Sequence, residues 1–144
     1  MLGLCLGLAG TLWAHVPTEH FTLAWNHTIE KIRWEEDYRV TPQGLVLVEA
    51  RVKGTGAGMD IPDDAYLKNG SWHYRPKLPT LPKLRLGRTP EAGDFDVCFA
   101  QASGKVQCQA MSHWIGQPNK QDAAVEVWGC EQANVAPVDV RLGG

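Results

Sequence analysis

The sequence predicts a mainly β domain, a small antiparallel β-sandwich or partly open barrel with little helix. Three observations carry that expectation. Phe21, Leu23, Trp25 and His27 alternate with Thr22, Ala24, Asn26 and Thr28, the period of two of a half-buried strand. Strong turn dipeptides interrupt the alternating runs, Asn69-Gly70 above all. No internal repeat and no heptad accompanies them.

Taken in order, the run from Phe21 to Thr28 is the first strand. Ile32, Trp34, Glu36, Tyr38 and Val40 then share one face of a second strand, and Lys31, Arg33, Glu35, Asp37 and Arg39 the other. Thr41-Pro42-Gln43-Gly44 reverses the chain, since Pro42 presets φ and Gly44 permits the turn. Leu45 to Val52 completes an antiparallel meander. Gly54 to Asp60 breaks the pattern. Asn69-Gly70 joins a short strand near residues 65–67 to Trp72–Arg75, both positions tolerating the positive φ of a type I′ turn. Pro76, Pro79 and Pro82 lack the donor that a central strand needs, so this stretch is an extended edge or surface segment. Strands follow at Leu84–Arg88, around Phe95, Val97 and Phe99, and at Lys105–Gln109. Ser112 is placed as the N-cap of a single helical turn, Ser112–Ile115. A last strand holds Val125, Val127 and Trp128 and ends at Cys130. The count is about eight short strands.

The chain has 144 residues, 44% hydrophobic and 21% charged, which suits one globular domain. A net charge of −2 excludes the basic stripe of a nucleic-acid binder and gives no electrostatic attraction to anionic lipid. Residues 1–14 are uncharged and almost wholly apolar, too short to span a bilayer. They are read as a signal or anchor segment whose true start lies upstream, with cleavage near Ala14, and residues 15–144 as a single exported β domain. A buried N-terminal strand or helix is the alternative. Membrane contact is expected through this segment alone.

With such a leader removed, Cys98, Cys108 and Cys130 remain, one pair and one leftover. Cys98 and Cys108 flank a predicted hairpin turn at residues 100–104 and are the preferred bridge; Cys108–Cys130 is the rival. No cysteine or histidine spacing resembles a zinc site, and no metal or cofactor is expected.

The chemistry-bearing residues cluster early. His27 is in phase with Leu23 and Trp25, and Glu36 with Trp34 and Tyr38, so a hairpin puts both on the apolar side. A carboxylate there needs a cation or several donors. His27 is the nearest in sequence, with Arg51 and Lys53 as others. Such a pair would have perturbed pKa values suited to acid–base work, which makes His27, Glu30 and Glu36 the catalytic candidates. A satisfied structural pair is the plainer alternative. Gly54, Gly56 and Gly58 match neither a P-loop nor a dinucleotide fingerprint. They read as a bend, or as backbone amides that hold an anion. A ligand pocket between ribbon and glycine loop would draw on Trp25, His27, Glu30, Trp34, Glu35, Gly56, Gly58 and Met59. Asp60, Asp63 and Asp64 lack the EF-hand pattern.

The strings FTLAWNHTIEKIRWEEDYRV, LVLVEARVKGTGAGMD and WHYRP resemble an uncharacterised bacterial family, the DUF1850 type, whose members are often encoded beside TAXI-type TRAP transporters. His27, Glu30, Trp34, Glu35, Glu36 and Gly56 to Met59 carry the likeness, which runs over roughly residues 20 to 131. The resemblance implies a periplasmic or envelope-associated protein that assists solute uptake, with a TRAP membrane subunit or its solute-binding protein as partner. It implies no reaction. A small-molecule-binding domain and a small hydrolase using His27 with Glu30 or Glu36 are the alternative expectations.

Overall fold

The computed structural model describes residues 1–26, 32–54 and 61–132. Among them are eleven strands and one helical turn. In chain order these are β1 (Leu2–Leu8), β2 (Thr11–Val16), β3 (His20–Asn26), β4 (Arg33–Thr41), β5 (Gly44–Lys53), β6 (Tyr66–Lys68), β7 (Ser71–Tyr74), β8 (Leu84–Gly87), β9 (Asp96–Ala100), β10 (Val106–Ala110), α1 (Ser112–Ile115) and β11 (Ala124–Glu131). A four-stranded sheet, β2-β1-β11-β8, packs on a seven-stranded sheet, β10-β9-β3-β4-β5-β7-β6. All the pairings are antiparallel, and the two sheets form a sandwich, as the alternation predicts.

The meander β3–β4–β5 and the hairpin β6–β7 lie where the sequence places them. Asn69 and Gly70 both take positive φ, 53° and 78°, as their turn requires. The core lies between the sheets and joins Leu4, Leu6, Val16, Val125 and Val127 of the smaller sheet to Phe21, Leu23, Tyr38, Val40, Leu45 and Val97 of the larger.

Residues 1–14, expected as a signal or anchor segment, form β1 and most of β2. The apolar run hides a period of two. Leu4 and Leu6 enter the core, while Gly3, Cys5 and Gly7 take the opposite face. The glycines let other side chains lie flat on β1. A Cβ on Gly3 would come within 2.8 Å of the His15 imidazole, and one on Gly7 within 2.8 Å of the Trp128 ring. Cleavage near Ala14 would remove β1 together with Leu4, Cys5 and Leu6, all fully buried.

Counting the early cysteine out also produced a leftover, and here the structure corrects the sequence reading. Cys130 is bonded to Cys5, and Cys98 to Cys108 as preferred, the latter two directly opposed in the β9–β10 register. The rival Cys108–Cys130 bridge is absent.

The β1–β2 turn is tight, and Ala9 within it has φ 51°. That conformation costs a non-glycine residue about 1–2 kcal/mol. We therefore expect Ala9→Gly to raise stability by about 1 kcal/mol in a urea titration, less the added chain entropy of glycine.

Ser112 does not cap α1. Met111 holds the cap position without a side-chain bond, and Asp94 Oδ2 accepts the Ser112 N–H at 2.8 Å instead. Asp94 is itself held by Arg88, which is 3% exposed and donates from Nε to Oδ1 at 2.7 Å and from Nη2 to Oδ2 at 3.1 Å. Arg88 Nη2 also donates to the Gly116 carbonyl, and Phe95 N–H to Asp94 Oδ1. One buried ion pair thus joins the end of β8, the approach to β9 and both ends of α1.

Candidate functional site: an aromatic and carboxylate face

Strand register assembles the site. On the inner face of the larger sheet, Leu23, Glu36, Ala50 and Tyr74 stand in one row across β3, β4, β5 and β7. Trp25, Trp34, Val52 and Trp72 stand in the next. Directly paired residues project to the same side, so these eight share a face. Trp25 and Trp34 stack with ring centroids 6.3 Å apart, and Phe95 leans on Trp25 at 5.7 Å. Ala50 and Val52 are buried, whereas Trp25, Trp34, Glu36, Trp72 and Tyr74 are each half-buried.

Glu36 shares the apolar face as its phase predicts. Tyr38 donates its hydroxyl to Glu36 Oε1 at 2.7 Å. Burial pushes the Glu36 carboxyl above its ordinary range, and this hydrogen bond offsets only part of the rise. The same carboxylate raises its neighbours in turn: burial and then the Glu36 charge push up both the Tyr38 and Tyr74 hydroxyls. Among the described residues, no cationic side chain meets Glu36.

This corrects the expectation that Arg51 or Lys53 would face Glu36. The reason is a β-bulge. Asp37 pairs with Glu49 but Tyr38 pairs with Leu47, leaving Val48 extra and exposed. Counting by twos from Leu45 and Leu47 would point Arg51 and Lys53 inward. The extra residue flips the phase, so Ala50 and Val52 turn in and Glu49, Arg51 and Lys53 turn out.

On the outer face, Arg51 is saturated. Its Nε donates to Glu35 Oε1 at 3.0 Å, Nη1 to Asp37 Oδ2 at 2.6 Å and to Glu49 Oε1 at 3.1 Å, and Nη2 to Asp37 Oδ1 at 2.7 Å. His73 Nδ1 lies 2.9 Å from Glu49 Oε1, and Tyr66 stacks on its ring. Arg33 continues the ladder to Glu35 and Asp96. Burial opposes ionisation of Asp37 and Glu49, but the Arg51 and Thr22 bonds at Asp37, and the His73 and then Arg51 bonds at Glu49, hold both carboxyls below their ordinary values. A cleft of about 180 Å³ lies beside the ladder, lined by Arg33, Glu35, Arg51, Lys53, Asn69 and Ser71.

The sequence-predicted ligand set is therefore divided. Trp25 and Trp34 lie with Glu36 on the inner face, and Glu35 lies behind them on the outer face. His27, Glu30, Gly56, Gly58 and Met59 lie outside the described residues. Sequence reasoning missed Trp72, Tyr74 and His73 as members of these rows. The alternation in Ser71-Trp72-His73-Tyr74 was a signal, but their neighbours follow only from the β5–β7 register.

The raised Glu36 carboxyl has a consequence for stability. A group whose folded pKa exceeds its unfolded value, about 4.3 for Glu, favours the folded state below that value. The contribution is lost as pH rises through the folded pKa. Glu36→Gln is neutral throughout and its amide oxygen can still accept from Tyr38. We expect the variant to be more stable than the native chain at about pH 7 and to lose that advantage near pH 4. Denaturant titrations at the two pH values check this; a less stable variant at neutral pH would contradict it.

No curated protein and no solved structure matches the chain. The sequence does match a family of shared domains, described as Domain of unknown function (DUF1850), over residues 21–105. The match spans β3 to the turn before β10 and takes in both rows of the aromatic face and the Arg51 ladder. It covers more than half of the chain, which accordingly belongs to the DUF1850 family.

Proposed function

We propose that this chain is an exported interaction domain that assists a TRAP-type solute transporter by docking on its membrane subunit or its solute-binding protein. The observation that supports export best is the pair of disulfides, Cys5–Cys130 and Cys98–Cys108, which between them use every cysteine in the chain. Such bonds persist in oxidising compartments such as the bacterial periplasm. The choice of partner rests on the resemblance to domains encoded beside such transporters.

The fold suits contact with a partner. Half-buried Trp25, Trp34, Trp72 and Tyr74 sit together on one sheet face, and aromatic side chains give large contact area at low entropic cost. Among the described residues no helix is long and apolar enough to cross a membrane.

The test is a pull-down with the full chain, disulfides intact, from detergent extracts of the source membranes. Recovery of a TRAP membrane subunit or its solute-binding protein is expected. Failure to recover either, from extracts shown to contain both, would sink the proposal.

A further inference from the structure

We infer that the cavity between β2 and α1 is a binding site for an apolar α-amino acid, with Arg88 taking the carboxylate and Asp122 the ammonium group. The inference is independent of transporter docking and of the aromatic face on the larger sheet.

The cavity has a volume of about 510 Å³, within the usual range of small-molecule sites. A β-bulge shapes one wall. Ala14 pairs with Leu6 but Leu12 pairs with Gly7, so Trp13 is the extra residue on β2, an edge strand of the smaller sheet. Leu12 and Trp13 both line the cavity, and both are exposed. Half-buried Trp114 and Ile115 of α1 supply the facing wall. Phe99 and His113 pack on the Trp114 ring and hold it in place. An apolar side chain seated between the walls would take the exposed Leu12 and Trp13 surface out of water.

Arg88 lines the same cavity although the residue as a whole is only 3% exposed. An arginine has five N–H donors. Nε gives one to Asp94, and Nη2 gives one to Asp94 and one to the Gly116 carbonyl. Among the described residues, nothing accepts from Nη1. The fold thus fixes a buried guanidinium with two donors unspent beside a cavity, and donors left unmade there are costly. Asp122 lies close along the backbone, since Arg88 N–H donates to the carbonyl of its neighbour Ala123 at 2.8 Å. Asn119 Oδ1 accepts the Asp122 N–H at 2.7 Å and so ties down the loop that carries this carboxylate. Among the described residues, no side chain pairs with the Asp122 carboxylate itself.

The charges select the ligand class. Asp94 already neutralises Arg88, so a simple carboxylate would gain the Nη1 bonds but meet the unopposed charge of Asp122. A simple amine would pair with Asp122 and leave Nη1 unmet. A sugar would offer acceptors to Nη1 but no positive charge to Asp122. An α-amino acid brings the carboxylate and the ammonium on one carbon, and its side chain is left for the apolar walls. Arg88 is held by three bonds before any ligand arrives, which lowers the cost of binding.

The experiment is calorimetric titration of the full chain, disulfides intact, with L-leucine and L-phenylalanine. Each is compared with its deaminated analogue, 4-methylpentanoate or 3-phenylpropionate, and its decarboxylated analogue, isoamylamine or phenethylamine. At least one amino acid should bind about tenfold or more tightly than both of its analogues. Asp122 is exposed, so Asp122→Asn should fold normally. It should weaken that amino acid about tenfold and leave the deaminated analogue no weaker. Trp13→Ala should weaken the amino acid as well, with circular dichroism confirming the fold. No heat with either amino acid, equal binding of amino acid and analogues, or unchanged affinity in Asp122→Asn would each overturn the inference. The pull-down reads separately: transporter capture that survives Asp122→Asn leaves the docking proposal standing whatever the titrations show.

Discussion

Replacing both Cys5 and Cys130 by alanine is expected to cost on the order of 4–5 kcal/mol of folding stability. The two cysteines are 125 residues apart, so their bond closes nearly the whole chain into a loop. The entropy removed from the unfolded state grows with loop length, and a loop of about 100 residues corresponds to about 4.7 kcal/mol. The Cα atoms are 6.0 Å apart, a separation that a disulfide spans without moving the backbone. The bond ties β1 to β11, the two central strands of the smaller sheet. Cys5 is fully buried, so its replacement also leaves a small void. A domain of this size has about 5–15 kcal/mol in all, and the loss should lower the melting temperature by roughly 10–15 °C. The Cys98–Cys108 bond closes only a ten-residue hairpin, worth about 2.5–3 kcal/mol on the same reasoning. Guanidinium titrations of the two double-alanine variants should therefore rank Cys5/Cys130 as the costlier. Equal losses would show that chain entropy is not what the longer bridge contributes.

Arg88→Met is expected to cost about 3–5 kcal/mol, the usual effect of removing one partner from a buried ion pair. The guanidinium donates twice to Asp94 and once to the Gly116 carbonyl. Its loss leaves a carboxylate with two backbone N–H donors, those of Phe95 and Ser112, and no counter-charge. Burial raises the Asp94 carboxyl, but the Arg88 bonds and those two amides more than reverse it, so the group is held below its ordinary value in the native chain. The double variant Arg88→Met/Asp94→Asn should recover part of the loss, because the unpaired charge is gone. Chemical denaturation of the two singles and the double gives the coupling directly. Additive effects would show that the pair does not act as a unit. The damage should reach the aromatic face as well, since Phe95 packs on Trp25.

The sequence exposed different parts of the molecule to different degrees. The β3–β4–β5 meander and the β6–β7 hairpin were legible because alternation and turn chemistry are local. The inward direction of Glu36 was legible for the same reason, since four in-phase apolar neighbours on one strand define a face. The direction of Arg51 was not. A single extra residue at Val48 inverts the phase of all that follows it on β5, and nothing in LVLVEARVK marks where the bulge falls. The strand character of the N-terminal run was hidden in another way. Leucine, glycine and cysteine all count as apolar or small, so composition alone does not show that Leu4 and Leu6 alternate into the core.

By itself the sequence determined a β-rich, two-faced chain, its turns, and the family to which its WNHTIEKIRWEEDYRV segment pointed. Those features depend on neighbours within a few residues. Only the tertiary structure decided which strands meet, and so which cysteines pair. It also decided that Glu36 looks across Ala50 to Tyr74 while Arg51 is held behind the sheet. Each of these depends on register between segments far apart in the chain, which is set by the packing of the whole core rather than by any local preference.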